Sequence, residues 1–288
     1  MRVAVVTDST SDLPVDVAKA LDITVVPASI HFGDKVYRDG VDLSTDDFYR
    51  KLQADPVLPK TSTPSPGDFK GVYQRLAGES DAIVSIHVAS KLSATLQAAV
   101  MGSRDLNLPI SIVDSQTASM ACGLLAVVAA KASQRGAGLA EIETLLHSAI
   151  PRTITYGVFG TLEYLYKGGR IGRAQAFLGS LLKLNPILAI SHGEIVPVAR
   201  VRTRARAIAR LCEILRNSGT PEEMCVMRTT DPGEADELAG RLAPLFPLER
   251  MYRASIGPAM GTYVGPGAVG VSVIWKSTPA HVGREVSL

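Results

Sequence analysis

Apolar and polar positions follow two different patterns along the first half of the chain. Short apolar runs, such as residues 3–7 (VAVVT), predict buried strands. Longer stretches with apolar residues three and four apart, such as residues 67–77 (GDFKGVYQRLA), predict amphipathic helices. The two kinds of segment follow each other regularly as far as residue 149. This succession predicts an α/β architecture in which helices cover both faces of a mostly parallel sheet.

Local signals predict where several of these elements begin. Asp12 is expected to cap the first helix, with Pro14 in its first turn. Residues 23–32 (ITVVPASIHF) are interpreted as one second strand. Ser44 is expected to cap the next helix, whose first turn is acidic and therefore favours the helix dipole.

The pattern changes after residues 149–153 (AIPRT), where Pro151 ends a helical stretch. Beyond this point the connections are longer and strict strand–helix pairs are fewer. We therefore predict two domains, an N-terminal α/β domain over residues 1–152 and a C-terminal α+β domain over residues 153–288.

Composition narrows the class of protein. The 288 residues are 46% hydrophobic with a net charge of +2, so the chain can bury a large core but lacks the basic excess of a dedicated nucleic-acid binder. The longest apolar run, residues 121–130, is about half of a membrane span, so no stable membrane insertion is expected. The three widely spaced cysteines indicate buried thiols in a reducing compartment, and we expect a cytoplasmic protein.

Known catalytic and cofactor motifs do not occur in the sequence. It contains no P-loop, no dinucleotide-binding glycine motif, no GxSxG elbow and no HExxH, so neither a catalytic residue nor a cofactor or metal site is assigned. The histidines are scattered singly and receive no role; they are His31, His87, His147, His192 and His281.

Hydroxyl residues gather where predicted strands end. The four clusters contain Ser9 and Thr10, Thr61 to Thr63, Ser90 and Ser93, and Ser115 and Thr117. Each hydroxyl can be explained as a helix cap or turn residue. Because ligands of open parallel sheets sit at the carboxyl ends of strands, the four clusters also favour a shared polar crevice.

Glycines and arginines mark two stretches of the second half. Residues 166–173 (YKGGRIGR) and 257–270 (GPAMGTYVGPGAVG) could bring backbone amides close to an anion, or could simply form a helix end and a tight turn. Residues 198–210 (VARVRTRARAIAR) form a basic run that is either a solvated face or a surface for a partner or a phosphate.

Taken in order, several stretches resemble the DegV family of bacterial fatty-acid-binding proteins. They span nearly the whole chain: TDSTSDLP, KTSTPSPGDF, SKLSATLQAA, VDSQTASMACG, LEYLYKGGRIGRAQAFLGSLLKLNPIL, VRTRARAI and IGPAMGTYVGPGAVGV. The resemblance implies two domains that enclose one long-chain fatty acid between them. It also implies a lipid-binding site in which Thr61 and Ser93 hold the carboxyl group while Arg170 and Tyr263 lie near it. Arg202 would face a kinase subunit.

The sequence departs from kinase-coupled members of that family. Tyr263 stands where those members usually have a histidine, and their SGTYQ is replaced by Ser93 to Gln97 (SATLQ). Tyrosine donates a hydrogen bond but stays neutral near pH 7, whereas histidine can become charged. The leading hypothesis is therefore a non-enzymatic fatty-acid binder in lipid transport or fatty acid metabolism. The alternatives are the acyl-presenting subunit of a two-component fatty acid kinase and a serine-dependent acyl hydrolase that uses Ser93 or Ser9.

Overall fold

The computed structural model describes residues 2–180 and 184–279 of the chain. Residues 280–288, which belong to the predicted C-terminal domain and include His281, lie outside the described residues. The strands are β1 (Val3–Asp8), β2 (Ile23–Val26), β3 (Ser29–Phe32), β4 (Lys35–Arg38), β5 (Lys60–Ser62), β6 (Ala82–His87), β7 (Ile110–Asp114), β8 (Thr153–Val158), β9 (Asn185–Ser191), β10 (Glu194–Val201), β11 (Pro221–Arg228), β12 (Tyr252–Ser255) and β13 (Val269–Trp275). The α-helices are α1 (Val15–Ala20), α2 (Thr45–Ala54), α3 (Pro66–Ala77), α4 (Thr95–Gly102), α5 (Met120–Gln134), α6 (Leu139–Ala149), α7 (Glu163–Lys167), α8 (Arg204–Arg216), α9 (Pro232–Leu242) and α10 (Pro258–Val264).

The strands form three sheets. The first has the order β2-β1-β6-β7 and is parallel throughout, as the alternating pattern predicted. The second has the order β10-β9-β8-β13-β11-β12 and is antiparallel except where β11 meets β12. The third is a small antiparallel sheet with the order β4-β3-β5. The α/β class with a mixed second half is therefore confirmed, while the boundary between residues 152 and 153 stays a prediction.

The interpretation of residues 23–32 as one strand was wrong. Ile23–Val26 pairs with β1 in the parallel sheet, whereas Ser29–Phe32 pairs with β4 and β5 in the antiparallel sheet. Pro27 lies between them and has no N–H to donate to a ladder, so the chain can leave one sheet there and enter another.

The predicted cap of the first helix was also wrong. Helix α1 begins after Pro14 without a side-chain cap, and Asp12 adopts a left-handed conformation (φ 51°) two residues earlier. The other predicted cap is confirmed, because Ser44 accepts a hydrogen bond from the Asp47 amide at the start of α2. At the third helix the cap is Ser65, which forms a reciprocal capping box with Asp68.

Helix α5 joins the first two sheets. It is apolar almost all round, and a helix of that kind belongs in the centre of a core. Its side chains pack in one apolar cluster with Val5 and Ile86 of the parallel sheet and with Cys225 and Ile274 of the six-stranded sheet. The opposite face of the six-stranded sheet is covered by α8 and α9, and the apolar stripe of α8 is buried there: Ile208, Leu211, Cys212 and Leu215.

Helix α10 connects the small antiparallel sheet to the rest of the molecule. Ala259 packs among the apolar residues of β3 and α2, and the Tyr49 hydroxyl donates to the Ile256 carbonyl oxygen at 3.0 Å. Across residues 2–180 and 184–279, no helix combines the length and apolar content that a membrane crossing requires.

Candidate functional site

A cavity of about 350 Å³ lies between the parallel sheet, the six-stranded sheet and helix α10. Its wall is largely apolar and includes Val88, Leu165, Leu188, Ile190, Met260 and Val264. The volume is at the lower end of the range of small-molecule sites, about 300–1,000 Å³. The cavity therefore has the size and character of a site for an apolar ligand.

Two glycines make room at the floor of the cavity. Gly157 on β8 and Gly270 on β13 stand opposite each other in the register and both line the cavity. A Cβ added at Gly270 would lie 2.6 Å from the Tyr156 carbonyl oxygen and 3.3 Å from the Met227 Cε atom. The floor consequently consists of main chain, and alternation along β8 turns the side chains of Tyr156 and Val158 into the core beneath α8 and α9.

The polar part of the wall brings together residues that are distant in sequence. The Thr61 hydroxyl oxygen lies 2.6 Å from the Tyr263 hydroxyl oxygen, across a separation of 202 positions. The Arg170 guanidinium stacks over the Tyr263 ring, 5.2 Å from its centroid, and donates to the Gly168 carbonyl oxygen at 3.0 Å. These three residues line the cavity and offer hydroxyl protons and a positive charge at one place.

Ser93 lines the same cavity from the loop that follows β6. Its hydroxyl oxygen lies 2.9 Å from the Thr95 hydroxyl oxygen and accepts from the Thr95 amide at 3.3 Å. All four residues that the sequence analysis assigned to lipid binding thus lie on the wall of one cavity: Thr61, Ser93, Arg170 and Tyr263.

The hydroxyl residues within residues 60–69, where β5 is followed by α3, have different roles. Thr61 and Thr63 line the cavity. Ser62 also borders it, and its hydroxyl lies 2.9 Å from Nε2 of His31. The residue that caps α3 is Ser65, so neither Ser62 nor Thr63 acts as the helix cap that each hydroxyl of the corner could have been. The following proline explains the choice, because Pro66 is the first residue of α3 and Ser65 precedes it directly.

Two buried carboxyl groups hold the start of α10. Asp12 accepts from the Gly257 amide at 2.8 Å and from the Ser119 hydroxyl at 2.5 Å. Asp39 accepts from the Ala259 amide at 3.2 Å. Burial raises the pKa of Asp12 well above its ordinary value, and burial raises the pKa of Asp39 to about 6. The role predicted for Asp12 as a local cap is thereby replaced by a contact with a distant helix.

A serine, a histidine and an aspartate form a chain of hydrogen bonds beside the cavity. His87 has Nε2 at 2.7 Å from the Ser85 hydroxyl and Nδ1 at 2.8 Å from Asp8 Oδ2. All three side chains are completely buried, and the Tyr73 hydroxyl donates to Ser85 at 2.8 Å. Ser85 is not among the residues that line the cavity, so this array ties β1 to β6 and α3 instead of presenting a nucleophile.

The serines that the hydrolase hypothesis named have other partners. Ser9 accepts from the Ala28 amide at 3.0 Å, and Ser93 is paired with Thr95. The Ser9 hydroxyl also bonds to the Asp39 carboxyl group, but Ser9 does not line the cavity. The Thr95 hydroxyl beside Ser93 is not a general base, which acyl transfer by serine requires. The observed contacts therefore give the hydrolase hypothesis no support.

Arg202 does not line the cavity. It is exposed directly after β10, and its carbonyl oxygen accepts from the Asn185 side chain at 3.3 Å. Arg200 stacks on the Phe177 ring at 4.8 Å. The described part of the chain contains no group of three or more histidine, cysteine, aspartate or glutamate side chains that could hold a metal ion.

The cavity meets the molecular surface near Arg170. Leu92, Arg170 and Ile195 line both the cavity and a neighbouring groove, which also includes the exposed Lys91 and Arg173. Lys91 forms an ion pair with Glu194 at 2.8 Å. The polar end of the cavity therefore opens toward a surface that is rich in cations.

The sequence analysis did not identify most of the residues that line the cavity. Ser119 and Thr155 reach the cavity from the start of α5 and from β8, and neither was assigned to the site. The alternation of Thr155 and Gly157 with larger apolar residues along β8 was a usable signal for a face that contacts a ligand. The backbone of Ser119 (φ 57°, ψ −151°) lies in a sparsely populated region, which no sequence pattern reveals.

Comparison with known proteins gives a consistent result. The model of the family described as "Uncharacterised protein, DegV family" matches residues 2–276. A DegV domain-containing protein of Streptomyces coelicolor is 38% identical over 277 residues, which are 94% of this chain and 98% of that protein.

Solved structures of DegV family proteins superpose on nearly the whole chain. A fatty-acid-binding DegV family protein from Thermus thermophilus superposes with a TM-score of 0.90 at 31% identity, over 96% of this chain and all (100%) of that chain. DegV of Bacillus subtilis, described as a fatty acid binding protein, superposes with a TM-score of 0.87 at 33% identity and the same coverage, 96% and 100%.

Proposed function

This chain belongs to the DegV family, and on that premise we propose that it binds one long-chain fatty acid, palmitate-like in size, within the cavity. The acyl chain occupies the apolar part of the cavity. Its carboxyl group accepts hydrogen bonds from Thr61, Ser93 and Tyr263 beside the Arg170 guanidinium. The role is that of a carrier in lipid transport or fatty acid metabolism.

The observation that carries this proposal is the uneven distribution of polarity around one cavity. The Thr61 and Tyr263 hydroxyls lie together beside the Arg170 guanidinium, and the Ser93 hydroxyl lines the same cavity. Aliphatic side chains and glycine main chain form much of the remainder. A fatty acid has the same division, with one anionic end and a long apolar tail. In the Thr61–Tyr263 pair one proton joins the two oxygens, so the other proton is available to a carboxylate.

The energetics of such a ligand are favourable. Burial of about 15 methylene groups at roughly 0.8 kcal/mol each contributes on the order of 12 kcal/mol before the entropy cost of association. A hydrogen bond to a charged group contributes about 1.5–3 kcal/mol. Most of the affinity therefore comes from the chain, and the polar residues decide its direction in the cavity.

Native mass spectrometry of the purified protein, followed by lipid extraction, tests the proposal directly. We expect one fatty acid per chain, released on unfolding. Protein that is empty and does not take up added palmitate or stearate would refute fatty-acid binding.

A second experiment tests the assignment of the carboxyl group. Titration with a fluorescent fatty acid should show that Thr61→Val combined with Ser93→Ala weakens binding about ten- to hundredfold, as expected for lost bonds to a charged group. Ser90→Ala is the matched control, because Ser90 is on the same loop but its hydroxyl is bound to Asp114 at 2.6 Å. Equal affinity of the double variant and the control would refute the head-group assignment and leave lipid binding intact.

The cationic groove favours a second candidate role, presentation of the acyl group to a kinase subunit. Arg170 and Arg173 border the opening through which a carboxyl group would meet a phosphoryl donor, and Arg202 offers an exposed charge for the partner. Tyr263 weighs against this role, since a phenol stands where kinase-coupled members have a histidine. Reconstitution with kinase subunits and ATP decides the matter: formation of acyl phosphate that requires Arg202 supports this role, and no product with any cognate subunit refutes it.

A further inference from the structure

A second group of hydroxyls lies on the cavity wall, away from the residues assigned to the carboxyl group. Thr10, Ser119 and Thr155 come from three different elements and line the cavity. The Ser119 amide donates to the Thr10 carbonyl oxygen at 2.9 Å, and the Thr155 hydroxyl lies 3.3 Å from the Ala118 carbonyl oxygen. The three residues thus form a continuous patch, which we call the hydroxyl belt.

Protein acceptors surround each hydroxyl of the belt. Thr10 donates to Asp8, and Ser119 donates to Asp12 at 2.5 Å. Thr155 has the Ser272 hydroxyl at 2.8 Å in addition to the Ala118 carbonyl oxygen. With their protons directed into the protein, the belt oxygens present mainly lone pairs to the cavity.

A plain hydrocarbon chain makes no use of these lone pairs. A hydroxyl group on the acyl chain would donate to one of them, and its own oxygen could still accept a bond if a belt proton rotated toward it. A carboxylate has no proton to donate to these lone pairs, so its ionised end is better placed beside Arg170.

The spacing along α10 separates the belt from the head-group residues. Gly257 contacts Asp12 behind Ser119, and Tyr263 contacts Thr61. Six residues of helix at 1.5 Å each place the backbones of Gly257 and Tyr263 about 9 Å apart along the helix axis. An acyl chain whose carboxyl group lies beside Tyr263 would therefore reach the belt with an interior carbon.

The conformation of Ser119 adds an independent argument. It precedes the first turn of α5 with φ 57° and ψ −151°, a region that residues other than glycine seldom occupy. Its side chain makes no capping bond to the helix and is instead directed to Asp12 and to the Met227 sulfur at 3.2 Å. A serine held in this conformation at a cavity wall fits a ligand contact better than it fits a helix cap.

We infer that the ligands of this protein include fatty acids with a hydroxyl group on an interior carbon, and that Ser119 and Thr155 recognise this hydroxyl. This inference rests on the proposed fatty-acid site. In a wholly apolar cavity the same group would be buried without a partner, which disfavours binding.

Displacement of a fluorescent fatty acid by stearic acid, and by hydroxystearic acids that differ only in the carbon bearing the hydroxyl, tests this inference. For the wild-type protein we expect at least one isomer to bind as tightly as stearic acid or more tightly, with a clear dependence on hydroxyl position. In Thr155→Val and in Ser119→Gly, which tolerates the positive φ, we expect the ratio of that isomer's affinity to that of stearic acid to fall about tenfold, as for one lost hydrogen bond.

Thr117→Val is the matched control, because this buried threonine lies beside the belt but not on the cavity wall, and its hydroxyl has no partner among the described residues. It should leave the ratio unchanged. The inference is wrong if every hydroxystearic acid binds the wild type tenfold or more weakly than stearic acid, or if the belt variants leave the ratio unchanged. If stearic acid itself does not bind, the proposed function is wrong and this inference falls with it.

Discussion

Replacement of Asp39 by asparagine should stabilise the protein at neutral pH but not at mildly acidic pH. Asp39 is almost completely buried, 5% exposed, and accepts from the Ala259 amide at the start of α10. Burial raises its pKa from 3.8 to about 6. The folded protein therefore binds a proton between these two pH values that the unfolded chain has released.

The sign and the size of the effect follow from this difference. Because the folded state holds more protons between about pH 4 and pH 6, its free energy of unfolding falls as the pH rises through that interval. A shift of about two pKa units corresponds to roughly 3 kcal/mol at 1.36 kcal/mol per unit. Asparagine has the same shape and keeps an oxygen for the Ala259 amide, but it cannot ionise. The stability of the variant relative to the wild type should thus rise by up to about 3 kcal/mol between pH 4 and pH 7.

Urea unfolding of both proteins at several pH values measures this difference. Asp42→Asn is the matched control, since Asp42 is exposed and its bond to Arg38 lowers its pKa to about 2. That variant should show a constant difference from the wild type between pH 5 and pH 7, because Asp42 is ionised in both states throughout. A constant difference for Asp39→Asn over pH 4 to 7 would refute the reasoning, as would a difference that shrinks with rising pH.

Three further predictions concern stability and reactivity. Ser65→Ala removes the capping box of α3 and should lower the free energy of unfolding by about 1 kcal/mol in urea titrations. Ser62→Ala, from the same corner, should cost less, and equal losses would contradict the assignment of the cap. Gly270→Ala should cost on the order of 1–3 kcal/mol because its Cβ would lie 2.6 Å from a backbone oxygen of the neighbouring strand. Gly71→Ala, in helix α3 with no atom within 4 Å, should instead be neutral or stabilising, and the opposite order would disprove the crowding. The Cys122 thiol, whose pKa burial raises to about 12, should react with a thiol reagent at pH 8 only after unfolding, so rapid labelling of the native protein would contradict its burial.

Thr61 and Tyr263 show what the family resemblance could predict and local sequence patterns could not. No rhythm of apolar residues indicates that Thr61 and Tyr263, 202 positions apart, lie within 2.6 Å of each other. The ordered motifs placed both residues in one expected site, and the structure locates them on one cavity wall. The belt residues Ser119 and Thr155 belong to no such expectation, because their importance depends on which way their side chains point.

The sequence by itself determined the elements whose stability is local. The apolar pattern marked β1 and α3, and the cap at Ser44 was readable because its hydrogen bond spans three residues. Tertiary structure alone decided how these elements meet. It split residues 23–32 at Pro27 between two sheets, and it turned Asp12 from the expected cap of α1 into a partner of Gly257, 245 positions away. The physical reason is that periodicity and capping report energies within one segment, whereas the partners of a buried polar group depend on which distant segments pack against it.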